Sequence, residues 1–77
     1  MNYKFELNSA KKIAENVMKY EYRVIKENSY VGKIGIYIRP NNNEIDYKEL
    51  DDKHIGKIER FRIGELVEAY CIKNDLI

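Results

Sequence analysis

The sequence predicts a small single domain of the α+β class over residues 1–77, in β-α-β-β-α order. An N-terminal strand would lie beside an antiparallel hairpin, with two helices packed on one face of the sheet. Three observations point there. Ile34, Ile36 and Ile38 recur at every second residue of "KIGIYIRP", the period of a strand with one buried face. Pro40 and the three asparagines after it interrupt the hydrogen-bond ladder and tolerate turn geometry, so a second strand folds back onto the first. Apolar residues also recur at helical spacing both before and after this hairpin.

Taken in order, Tyr3, Phe5 and Leu7 alternate with Lys4 and Glu6 and predict a short first strand. Ser9 offers a capping hydroxyl to a helix over about residues 10–27. On that helix Ala10, Ile13, Ala14, Val17, Val24 and Ile25 form an apolar stripe, with Lys12, Lys19, Arg23 and Lys26 opposite. Glu21 falls within the stripe, where a carboxylate is costly unless it is paired or reaches the rim. Tyr22 falls on the solvent side.

The hairpin follows as a strand from Tyr30 to Arg39, a loop at residues 40–43 and a returning strand. Its register would set Arg39 against Glu44, Ile38 against Ile45 and Ile36 against Tyr47. Ile63, Leu66, Val67 and Tyr70 then give a last helix over about 62–74, fraying through Asn74. The segment "DDKHIGKIERF" reads as a separate short helix capped by Asp51 or Asp52 in preference to a third hairpin strand, with Gly56 weakening both. A right-handed crossover would bring the first strand beside the hairpin. The predicted core is Phe5, Leu7, Ile13, Val17, Val24, Ile34, Ile36, Ile38, Ile45, Leu66, Val67 and Tyr70.

Composition narrows the function. The net charge of +1 is far from the basic excess of a general nucleic-acid binder. Residues 1–40 nevertheless carry eight Lys or Arg against four acids, and residues 41–77 carry six against nine. A single cysteine, Cys71, forms no internal disulfide and suits a reducing cytoplasm. The opening "MNYKFELN" has neither the apolar run of a signal peptide nor that of a membrane span, so a cytoplasmic protein without membrane contact is expected. Ile, Lys, Asn and Tyr supply 36 of the 77 residues, the signature of an AT-rich genome.

Catalytic chemistry finds little support. His54 has no second histidine or cysteine nearby to complete a metal site, and Cys71 reads as a buried small hydrophobe. Glycines 32, 35, 56 and 64 fit no phosphate loop. "IDYK", with Asp46 and Lys48, together with Glu21 resembles the acid-x-lysine element of the PD-(D/E)xK nucleases, whose carboxylates hold a metal that activates water. The upstream aspartate is missing here, and the predicted parity turns Asp46 and Lys48 away from Glu21. No catalytic residue, metal or cofactor is therefore predicted.

The candidate binding residues are Lys33, Tyr37, Arg39 and Lys48 on the solvent side of the hairpin around Gly35, and Tyr22 on the first helix. Tyrosine and arginine are enriched at the centres of protein interfaces, so the leading expectation is a non-enzymatic protein-binding module. The alternative is a weak single-stranded nucleic-acid binder using the basic and aromatic sheet face. A metal-dependent nuclease is third. An unpaired strand edge also admits a homodimer. In size, AT-rich composition and lack of catalytic residues the chain resembles small phage-encoded proteins that bind and block host machinery, anti-CRISPRs and other anti-defence inhibitors among them. That class resemblance implies an inhibitor or regulator acting in the host cytoplasm on an unidentified protein, and assigns no residue a role.

Overall fold

A computed structural model describes residues 2–50 and 53–75. The chain opens with four antiparallel strands, β1 (Tyr3–Ala14), β2 (Val17–Lys26), β3 (Ser29–Ile38) and β4 (Asn43–Asp46), joined in sheet order 1-2-3-4. One helix, α1 (Lys57–Tyr70), runs on into a π-helical turn, Cys71–Asp75, and packs on one face of this meander.

The predicted β-α-β-β-α order with two helices is overturned. Residues 10–27 form the end of β1, a tight turn and all of β2, and β1 reaches Ala14 instead of stopping after Leu7. The physical reason lies in "KYEYRV". Lys19, Glu21 and Arg23 alternate with Tyr20, Tyr22 and Val24, and all three of the latter are buried. The aromatic and β-branched side chains suit a pleated surface better than a helix. As a strand, the segment turns Glu21 outward, whereas a helix would sink it among apolar neighbours. No crossover is needed, because β1 and β2 join directly at a two-residue turn.

The two turns share a dipeptide, Glu15-Asn16 and Glu27-Asn28. Asn16 has φ 66°, and Glu27 and Asn28 have φ 48° and 71°. Two successive residues of positive φ twist a two-residue hairpin in the same sense as its strands, and asparagine tolerates that region better than most residues.

β3 lies where the isoleucine alternation put it, and Ile34 and Ile36 are fully buried. Its register with β4 differs from the expected one. Ile36 opposes Ile45, Tyr37 opposes Glu44 and Ile38 opposes Asn43. The turn spans 39–42, closed by a 3.1 Å hydrogen bond from the Arg39 N–H to the Asn42 carbonyl. The slip is two residues, so each side chain keeps its predicted face. Beyond β4, Leu50 bridges to Gly32.

The core gathers Tyr20, Tyr22, Val24, Val31, Ile34 and Ile36 from the sheet with Leu50, Ile55, Ile63, Val67 and Cys71. Burying each large apolar side chain contributes roughly 1.5–3 kcal/mol. Leu7 and Ile13 on β1 and Leu66 and Tyr70 on α1, expected inside, are exposed. The helix begins at Lys57, so residues 57–61 belong to α1 and form no separate element. The proposed caps Asp51 and Asp52 lie outside the described residues. No helix among the described residues is long and apolar enough to cross a membrane.

Candidate protein-contact groove

With α1 on one side, none of the described residues packs over the other side of the sheet, and its charges are arranged in cross-strand pairs. Lys19 lies 3.5 Å from Asp46, Arg23 3.6 Å from Glu6, Lys33 3.9 Å from Glu21 and Arg39 2.7 Å from Glu44. The Asn8 amide also donates to Glu21 at 2.7 Å. Each of these four cations therefore has its own acid. Gly35 makes one pairing possible: a Cβ there would come within 3.0 Å of the Lys19 Cε and 3.4 Å of the Asp46 Cβ. The bare spot is filled by the Lys19 stem crossing the glycine.

Tyr37 stands at one end of this face. The Lys19 ammonium and the Arg39 guanidinium lie 5.0 and 5.1 Å from its ring centroid, within cation–π range. A hydrogen bond with Tyr37, aided by the Asp46 charge, holds the Lys19 ammonium above its ordinary pKa. At the opposite end Arg23 lies 4.8 Å from the exposed Tyr30 ring.

From Tyr37 and Arg39 a groove of about 640 Å³ runs along the β4 edge past Glu44 and Asp46 to Tyr47, Lys48 and Arg60. Its floor is held from the helix. Arg60 donates to the Tyr47 carbonyl at 2.9 Å, and its guanidinium lies 5.6 Å from the Tyr47 ring. Phe61 meets Tyr47 edge-on at 6.1 Å and is 66% exposed, and Ile58, one turn before it, is 87% exposed. Gly64 lets Tyr47 lie this close to α1, since a Cβ at that position would sit 2.2 Å from the phenol oxygen. Lys48 is exposed, and its backbone N–H donates to Asp46 Oδ1 at 3.0 Å.

Of the five predicted residues, Tyr37, Arg39 and Lys48 line this groove. Lys33 lies apart, in a small niche around Gly35 beside Glu21. Tyr22 is a correction: it is wholly buried, and its phenol donates to Asp75 at 2.8 Å. A phenol at the centre of the core presents nothing to a partner. Tyr47, Arg60 and Phe61 were missed; the available signal was the drift of Ile58 and Phe61 off the apolar stripe of the last helix.

The nuclease parity argument is corrected as well. On strands, Glu21 and Asp46 share the outer face, on either side of Gly35. Lys19 and Lys33 occupy those carboxylates, however, and no group of three or more potential ligand side chains able to hold a metal is found among the described residues. His54 is exposed. Cys71 is buried, and burial pushes its thiol above the usual range, away from nucleophilic use. Comparison with known protein families, curated proteins and solved structures finds no match for this chain.

Proposed function

We propose that the chain is a small non-enzymatic protein-binding module, of the inhibitor or regulator type, that docks its partner in the groove along β4. The observation that carries this reading is the composition of one continuous surface. Tyr37 and Tyr47 line it together with Arg39, Lys48 and Arg60, and Phe61 abuts the Tyr47 ring beside it. Aromatic residues and arginine are enriched among the residues that dominate the energetics of protein interfaces, and the aromatic rings bury large areas at low entropic cost. Phe61 and Ile58 in water are an unfavourable arrangement that a partner relieves.

Charge separates this reading from nucleic-acid binding. Glu44 and Asp46 line the same groove, and Arg39 and Lys19 are already paired with them. A phosphate backbone would meet these carboxylates at every approach, whereas a protein segment of mixed charge can exchange partners with them.

The test is affinity capture from lysate of the source cell, with wild type compared with Phe61→Ala and Tyr37→Ala. A protein retained by wild type and bound about 30-fold more weakly by either variant, the loss of a central aromatic contact, supports the groove. Equal retention by the variants contradicts it. So does tight binding of a single-stranded oligonucleotide that weakens steeply with salt.

A further inference from the structure

We propose that the partner enters the β4 groove as an extended strand, pairing with Asn43 and Ile45 and carrying basic side chains on its outer face and apolar ones toward α1. The inference rests on the groove being the docking site and names what fits there. β4 ends the sheet order, and among the described residues no strand other than β3 pairs with it. The Arg39 N–H donates to the Asn42 carbonyl, so Asn42, Glu44 and Asp46 turn their backbone polar groups to β3. By the alternation of an antiparallel ladder, those of Asn43 and Ile45 point away from β3. The groove takes Glu44 and Asp46 from the outer face and Ile45 and Tyr47 from the helix face, as the rim of a sheet allows.

The charge pattern selects the occupant. Glu44 and Asp46 are the outer-face side chains of β4, and the Glu44 side chain stays 62% exposed although Arg39 reaches it. An incoming strand sets its own side chains directly beside these carboxylates, where lysine or arginine is favourable and an acid is not. A second copy fails this condition. β4 paired antiparallel with itself about Glu44, Ile45 or Asp46 opposes acid to acid in every case. Toward α1 the incoming residues meet Ile45, Tyr47 and the exposed Phe61, so apolar side chains are favoured on that side. Main-chain bonds then supply affinity, and the two rows of side chains supply specificity.

The probe is a synthetic hexapeptide of alternating lysine and valine, titrated into the full chain to about millimolar concentration and followed by backbone amide hydrogen exchange. Its binding should slow exchange at the Asn43 and Ile45 amides about tenfold. The corresponding glutamate and valine peptide should bind about tenfold more weakly. Glu44→Lys should reverse that preference. The Glu44 side chain is exposed, and an unchanged thermal midpoint confirms that the variant folds. No binding of the lysine peptide, binding that leaves the two amides exchanging at their former rates, or an unaltered preference in Glu44→Lys would each overturn strand addition. The two readings fail separately. Loss of partner capture in Phe61→Ala without protection of Asn43 and Ile45 keeps the groove and removes the strand, whereas equal capture by Phe61→Ala and Tyr37→Ala removes both.

Discussion

The phenol of Tyr22 carries two different stabilising contributions, and substitution can separate them. Its ring fills the centre of the core, meeting Tyr70 edge-on at 5.9 Å, while its hydroxyl reaches Asp75. Tyr22→Ala should cost about 3–5 kcal/mol and Tyr22→Phe only about 1, as read by denaturant unfolding. Tyrosine was the residue whose place could least be read from composition, since the same side chain serves a core or an interface. Glu59 gives a pH signature. A 2.7 Å contact with Lys26, with a further hydrogen bond from Tyr3, lowers its carboxyl pKa. A lowered folded-state pKa adds stability above the unfolded value of about 4.3, and that stability is lost as pH falls below it. Glu59→Gln should therefore cost about 1 kcal/mol at neutral pH, with the difference from wild type closing in acid.

Among the elements, the second strand was the one misread. A helical wheel places Val17 and Val24 on one side, because seven residues is nearly two helical turns, whereas the strand sets them on opposite faces. What distinguished them was Glu21, an acid in the middle of the supposed apolar stripe, together with the Lys-Tyr-Glu-Tyr-Arg-Val alternation. The isoleucine strand was legible because its alternation has no helical counterpart and proline ends it. The groove was only half legible: Tyr37, Arg39 and Lys48 follow from strand parity, but Tyr47, Arg60 and Phe61 meet them only through the packing of α1. At the β2–β3 turn, Asn28→Ala should cost about 1 kcal/mol, because alanine does not share asparagine's tolerance of φ 71°. In α1, Gly64→Ala gains helix propensity worth about 1 kcal/mol but drives a methyl into Tyr47. The overlap wins, giving a net loss of about 1 kcal/mol and a thermal midpoint lower by roughly 4–8 °C.

Across the whole molecule, one sheet face is occupied by apolar packing and the other by paired charges, and both rest on β2 being a strand. Burial, followed by hydrogen bonding with Cys71 and Asp75, raises the Tyr22 phenol far above its ordinary pKa. A raised phenol pKa adds stability that is complete below about pH 10 and is lost as pH rises further, so alkaline unfolding should coincide with cooperative phenolate absorbance. The most direct test of the architecture, and of the groove built on it, is proton nuclear Overhauser contacts across residues 17–38. The account predicts cross-strand contacts between Tyr20 and Ile36 and between Lys19 and Tyr37, with none of the i to i+3 contacts of a helix between 10 and 26. Helical contacts through that segment, with Tyr22 facing water, would contradict it.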